Sequence, residues 1–221
     1  MRARGLHSWD LSFAEAQAVQ VRLARLVESR PRLDEVRQVA GVDVSTGRGG
    51  PARGAVVVLG YPAMQTLEVA TAERVPQFPY VPGFLSFRES PVILACFEKL
   101  TQWPDLVLVD GQGLAHPRRF GFACHLGLLL DRPTIGCAKS RLVGECDPVG
   151  ESVGDWSPLT DRDEVVGAVL RTRQGVKPLF VSIGHRVDLA TAVDWTQRCT
   201  GPFRLPEPTR RAHLAAAGRP V

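Results

Sequence analysis

An α/β fold built on one mixed sheet is what this chain of 221 residues predicts, and three observations carry it. Three short β-rich segments follow one another in the first third with only turns between them. Beyond them, strand-like and helix-like segments alternate. Finally, 44% hydrophobic against 23% charged residues supplies enough apolar material for one sizeable core. Strands joined by turns pair antiparallel and strands separated by helices pair parallel, so the sheet is mixed. At this length the chain is read as one domain, residues 1–221.

Ser12 followed by Glu15 forms a capping-box signature, and the apolar residues from Phe13 to Leu26 recur at helical spacing, predicting a helix. Val39–Ser45, Gly54–Gly60 and Thr66–Glu73 read as an antiparallel meander, divided by the glycine-rich GRGGPARG and by a turn around Pro62. A proline-rich loop, VPQFPYVPG, comes next. Ser90 as N-cap and Pro91 at the first helical position predict a helix through Leu100. Leu106–Val109 is a strand, Phe122–Leu130 an apolar helix and Thr134–Cys137 a strand. Residues 143–160, rich in Gly, Asp and Pro, read as a long loop. A capped helix over Asp161–Arg173, a strand over Leu179–Ile183 and a helix over Asp188–Arg198 complete the alternation.

A formal net charge of +4 permits an anionic partner without requiring one. The five cysteines (Cys96, Cys124, Cys137, Cys146, Cys199) are odd in number and form no CxxC pair, which argues against a disulfide framework and a zinc ribbon. The N-terminal MRARGLHSWD carries no apolar stretch after its arginines, and the longest apolar runs are too short to span a bilayer. The expectation is a cytoplasmic protein without membrane attachment, monomeric by default.

Two aspartates sit where an apolar strand should exclude them, Asp43 in VAGVDVS and Asp110 in LVLVDGQG. An unpaired buried carboxylate costs several kcal/mol, so such positions imply a hydrogen-bond network, a basic partner or a metal. Asp110 would also serve as a turn cap with Gly111, whereas strand character continues on both sides of Asp43. Glu89 closes FLSFRE and would equally serve as a solvated residue at a helix start. Together the three acids match the hard-oxygen ligand set of Mg²⁺ or Mn²⁺, and the chemistry they point to is metal-assisted phosphodiester hydrolysis.

Downstream of Asp110, Gly111 and Gly113 let backbone approach a planar or phosphate-bearing ligand, while His116, Arg118 and Arg119 lie in a loop able to meet phosphates. Lys139 follows TIGCA and reaches the same sheet end as Asp110 if the two strands are parallel neighbours, where it would clamp a phosphate. With Arg141 these residues concentrate positive charge beside the acids. Cys124 and His125, on the apolar helix, read as packed core, and His185, Arg186 and His213 are ambiguous alone. Tyr80, stiffened by Pro79 and Pro82, fits a wedge inserted into a base stack as well as a residue packed over a surface loop.

The ordered segments VAGVDVS, PYVPGFLSFRE, LVLVDGQGLAHPRRFGFACHLGLLLDRPTIGCAKSRL, KPLFVSIGHRVDL and PTRRAHL span Val39 to Leu214, and the set resembles the endonuclease V, or deoxyinosine 3′-endonuclease, family. The resemblance implies an RNase H-like fold with a central mixed five-stranded sheet flanked by helices. It implies Mg²⁺-dependent repair cleavage of DNA at the second phosphodiester 3′ of deoxyinosine, leaving a 3′-hydroxyl and a 5′-phosphate, with Mn²⁺ able to substitute. It places metal ligation on Asp43, Glu89 and Asp110, a catalytic histidine on His213 and a phosphate-contacting lysine on Lys139. The strand-separating wedge falls on Tyr80, Val81, Pro82 and Gly83, and the lesion pocket on the Gly111–Gly113 turn. Some members differ from this chain at the position of His213, and many carry Gly where Ser90 stands. Two rivals remain at this point: a ribonuclease acting on inosine-containing RNA, and a lesion-binding or branched-nucleic-acid-binding protein that does not cut.

Overall fold

The computed structural model describes residues 3–46 and 50–221. Along the described chain run α1 (Phe13–Ala24), β1 (Gln38–Thr46), β2 (Ala52–Gly60), β3 (Gln65–Arg74), α2 (Leu85–Phe97), β4 (Leu106–Val109), α3 (Phe122–Leu130), β5 (Thr134–Ala138), β6 (Trp156–Asp161), β7 (Glu164–Leu170), β8 (Leu179–His185), α4 (Leu189–Arg198) and α5 (Glu207–Ala216). Among the described residues the strands form one mixed sheet in the order β3-β2-β1-β4-β5-β8-β7-β6. Eight strands replace the expected five: the unit β3-β2-β1-β4-β5 is present, and three antiparallel strands extend it.

The N-terminal half follows its sequence signals. Ser12 caps α1 with the full reciprocal capping box. β1 pairs antiparallel with β2, and β2 with β3. The first residues of the GRGGPARG turn, 47–49, lie outside the described residues. β4 pairs parallel with β1 and β5 parallel with β4. β8, in contrast, runs antiparallel to β5.

Three element assignments are corrected. The predicted helix over Asp161–Arg173 is instead the second half of a hairpin, β6 paired with β7. Arg162 and Asp163 take positive φ values of 52° and 63°, the backbone that a two-residue hairpin turn requires. The predicted loop over 143–160 accordingly ends where β6 begins at Trp156. Finally, α2 starts at Leu85, well before Ser90, and runs through Pro91. Five residues that the Ser-Pro signal left outside the helix, Glu89 among them, are therefore helical.

Alternation along the strands sorts the core onto two faces. Val39, Leu106, Leu108, Ile135 and Cys137 pack towards α4 and α5 with Ala192, Ala212 and Ala215. Ala40, Val42, Val107 and Val109 pack towards α2 and α3 with Ile93, Phe97 and Leu126. Gly41 lies under α5, where a Cβ would stand 1.9 Å from the Pro208 carbonyl oxygen, so the helix rests directly on β1.

Candidate active site

The same parity positions the acids. Asp43 is two residues beyond Gly41 in β1 and so projects to the α5 side, where the Nδ1 atom of His213 lies 2.7 Å from its Oδ2. Asp110 follows β4 directly and is held beside Asp43 because its N–H donates to the Val42 carbonyl. Lys139 follows β5, the parallel neighbour of β4, and its Nζ forms an ion pair with Asp110 Oδ2. The parallel-neighbour condition posed by the sequence is met. One ligand atom each from Asp43, Asp110 and His213 lies within 4.8 Å of the others, a group able to hold a cation.

Glu89 approaches from α2 on the opposite face of the sheet and stands outside that close group. Burial, then the charges of Asp43 and Asp110, push its carboxyl up to about 8, with Arg88 opposing them only in part. Asp110 is likewise raised by burial and by Asp43, against the downward pull of Lys139. Two carboxyls, Glu89 and Asp110, raised by burial and by the acids beside them fit a divalent cation, whose charge would offset both burial and repulsion. A stability effect follows. With its pKa raised, Glu89 in the folded protein resists ionising while the unfolded chain ionises freely, so stability falls as pH rises from the usual carboxylate range to about 8. Melting temperatures in chelator should show that fall, Glu89→Gln should remove part of it, and a divalent cation should raise the melting temperature more at pH 8 than at pH 6. An equal cation effect at both pH values would separate Glu89 from the cation site.

Beside the acids, on the α2–α3 side, opens a cavity of about 390 Å³ between the tip Tyr80–Gly83, the starts of α2 and α3, and the segment that follows β5. Gly111 lines it; Gly113 does not, because it is buried beneath with its N–H donated to Ser182 Oγ. A Cβ on Gly113 would stand 1.9 Å from the Ile183 carbonyl oxygen, so this glycine serves close packing rather than ligand contact. Both helices that open on the cavity start at residues without side-chain caps, Phe84 for α2 and Gly121 for α3. Phe87 and Ala123 already donate to the Phe84 and Gln112 carbonyls, so the first turns offer at most their remaining backbone N–H groups to whatever fills the space. Leu85 and Phe122 also wall the cavity without having been expected there, since a wall built from helix starts carries no side-chain signature, and Leu142 joins them from the segment after β5.

The tip itself is a tight turn in which the Phe84 N–H donates to the Val81 carbonyl and Gly83 adopts φ 81°. Tyr80 is 72% exposed. Its base is stiff: Phe78 contacts Phe13, Phe84 and Phe87 with ring centroids 5.1, 6.0 and 5.6 Å apart.

The other basic and nucleophilic candidates do not converge on the acids. His116 is buried, its Nε2 on the Gly83 carbonyl at 3.0 Å and its Nδ1 accepting from the Arg118 N–H at 3.1 Å. Burial lowers its pKa to about 4, so it is a neutral structural group rather than the phosphate contact expected. Arg118 likewise points two of its nitrogens inward. Arg119 pairs with Asp161 and Glu164 of the hairpin at 2.8 and 2.7 Å. His185 and Arg186 lie at the far end of β8, opposite the start of β5, and Arg186 pairs with Asp131. His125 is core, bonded to Ser86 and His7. All five cysteines are free, and burial pushes Cys96, Cys124, Cys137 and Cys199 up to about 12. The positive charge beside the acids comes from Lys139 on Asp110, from Arg88 beside Glu89 and from Arg204, which the sequence did not single out, with Arg141 on the cavity wall.

The family model of Endonuclease V matches residues 21–214. The chain belongs to the endonuclease V family. An Endonuclease V from Dehalococcoides mccartyi is 51% identical over 218 residues, covering 98% of each chain. The crystal structure of the Endonuclease V from Streptomyces avermitilis superposes with a TM-score of 0.91 at 42% identity, covering 96% of this chain and 94% of that one. The Ciona intestinalis Endonuclease V, solved with a 23-residue DNA containing an inosine followed by a ribo-adenosine, gives a TM-score of 0.80 at 31% identity, covering 93% and 95%. These endonuclease V structures have the RNase H-like fold expected for this chain. No helix among the described residues is long and apolar enough to cross a membrane.

Proposed function

We propose that this endonuclease V family member is a DNA repair enzyme that recognises deoxyinosine and hydrolyses the second phosphodiester 3′ to it, leaving a 3′-hydroxyl and a 5′-phosphate. The observation that carries the reading is the juxtaposition of a base-sized cavity, walled by uncapped helix starts, with a carboxylate and imidazole cluster at one sheet end. The Ciona relative bound to inosine-containing DNA supports the same substrate class.

Hypoxanthine presents an O6 acceptor and an N1–H donor where adenine presents an amino group and a bare N1. Backbone N–H groups at the starts of α2 and α3 would donate to O6 and leave the adenine amino group facing donors, a mismatch that discriminates strongly. Extrusion of the base needs an opened stack, which the exposed Tyr80 ring would support by inserting where the base had been.

Asp43, Glu89 and Asp110, with His213 alongside, would hold Mg²⁺, or Mn²⁺ in its place. When bound, the cation supplies Lewis-acid stabilisation of phosphate charge and makes water more acidic. Lys139, anchored by Asp110, would neutralise charge that builds on the scissile phosphate. With Nδ1 on Asp43 at 2.7 Å, the His213 tautomer that donates there would leave Nε2 as the acceptor able to take a proton from the attacking water.

Matched strands containing deoxyinosine or inosine test the reading directly, with products mapped to the nucleotide in Mg²⁺ and in chelator. Cutting of deoxyinosine DNA at the second 3′ bond, lost in chelator, is the expected result. Cutting of RNA alone would overturn it in favour of the ribonuclease reading, which the ribo-adenosine in the Ciona oligonucleotide keeps in view.

A further inference from the structure

The carbonyl oxygen of Gly83, at the base of the Tyr80 tip, accepts three hydrogen bonds. The donors are Gln20 Nε2 at 2.9 Å, Arg118 Nη2 at 2.8 Å and His116 Nε2 at 3.0 Å. Gln20 stands at the centre of this arrangement. It belongs to α1, is 1% exposed, donates also to the Phe120 carbonyl, and accepts from Arg118 Nε at 2.5 Å. The Arg118 guanidinium in turn lies 4.4 Å over the Phe84 ring, the residue that follows Gly83.

A turn carbonyl in a surface loop is ordinarily satisfied by one partner or by water. Three donors, one of them cationic, on a carbonyl at positive φ fix that peptide's orientation, and with it the direction in which the next residues leave the turn. The donors come from two distant parts of the chain, α1 and the loop after β4, so the tip is braced from below and from the side. Gln20 and Arg118 make no hydrogen bond to the acids, although Gln20 lines the cavity that opens beside them.

We propose that Gln20, through Arg118 and the Gly83 carbonyl, is a positioning residue that holds the Tyr80 tip rigid, so that binding a duplex does not have to order it. The proposal rests on the reading above that Tyr80 enters the base stack. A rigid wedge lowers the cost of opening a duplex. It does nothing for a single strand, which has no pairing to open. Gln20 therefore governs the preference between duplex and single-stranded substrate rather than hydrolysis itself.

The test compares Gln20→Leu, which removes all three of the amide's hydrogen bonds, and Gln20→Glu, which keeps an acceptor for Arg118 but cannot donate to Gly83. Each is assayed on deoxyinosine in a duplex and in a single strand, alone and combined with Tyr80→Ala. Fluorescence of a 2-aminopurine beside the lesion in the duplex, read without cutting, reports stack opening. Both variants should lose about tenfold in kcat/KM on the duplex, the order expected for losing a buried hydrogen-bonded brace. Single-strand cleavage should fall clearly less than duplex cleavage, because any loss from the cavity wall falls on both substrates alike. The 2-aminopurine signal should fall in parallel, and neither substitution should cost anything further once Tyr80 is Ala. Equal losses on both substrates, losses that add to those of Tyr80→Ala, or failure of both variants to fold would each overturn the proposal by making Gln20 an ordinary core residue. A parent that opens the duplex without cutting it would instead overturn the assigned reaction and leave the brace standing.

Discussion

Asp110→Ala abolishes cleavage, by at least about a thousandfold, while binding of deoxyinosine DNA persists. The carboxylate belongs to both halves of the proposed site: it lies in the group able to hold a cation with Asp43 and His213, and it anchors Lys139. Its loss would remove a hard-oxygen donor and free the lysine at once, whereas Asp110 forms only one edge of the cavity, whose remaining wall includes Tyr80, Leu85, Phe122 and Leu142. Gel-shift affinity and cleavage rate measured on the same duplex separate the two. Persistent cutting would refute the cation assignment, and binding lost together with cutting would show that the acid shapes the cavity as well. Had the parent bound lesions without cutting, the acids would have no reason to meet where phosphate approaches.

Gly41→Ala lowers stability and activity together. The added Cβ would stand 1.9 Å from the Pro208 carbonyl oxygen and 2.5 Å from the Thr209 nitrogen, both backbone atoms of α5, so no side chain can swing away to relieve the overlap. The helix must lift from β1, at a cost on the order of 3 kcal/mol or more for overpacking against backbone. His213 rides on that helix and meets Asp43 across the same contact, so it is carried away from its partner. A fall in melting temperature with cleavage reduced beyond what the unfolded fraction explains is the expected pair of results. An unchanged melting temperature would mean that α5 does not rest on Gly41. Gly111→Ala provides the comparison: its Cβ would meet Phe122 at 3.4 Å, ordinary contact, so the substitution touches the cavity without moving a helix.

Polar residues in apolar strands proved the most legible part of the site. Asp43 and Asp110 could be singled out because nothing in an isolated strand accounts for a carboxylate there, and Lys139 followed from strand adjacency alone. Glu89 was harder, since its local signals describe a solvated residue at a helix start; in α2 burial, and then the charges of two acids distant in sequence, raise its pKa instead. The β6–β7 hairpin was misread because β-branched Val165 and Val166 with Ala168, Val169 and Leu170 satisfy helical as well as alternating patterns. Asp161 looks like an N-cap, and the turn residues Arg162 and Asp163 carry no glycine to betray a hairpin. The start of α2 was displaced because Ser90–Pro91 imitates a helix start, although the proline sits inside the helix. Helix α5 drew no assignment, although Pro206 and Pro208 at its start are permissible in a first turn where no N–H is needed. The inward aim of His116 and Arg118 was beyond reach, because it depends on the fold of α1, nearly a hundred residues away from Arg118.

The contact between Asp43 and His213 joins residues 170 positions apart, through a helix that can settle only once β1 and β2 lie beneath it. A polypeptide still emerging from the ribosome holds all three acids long before the imidazole exists to meet them. On the proposed reading, competence to cut therefore waits for α5, and a truncated chain that lacks this helix holds the acids but no imidazole partner for Asp43.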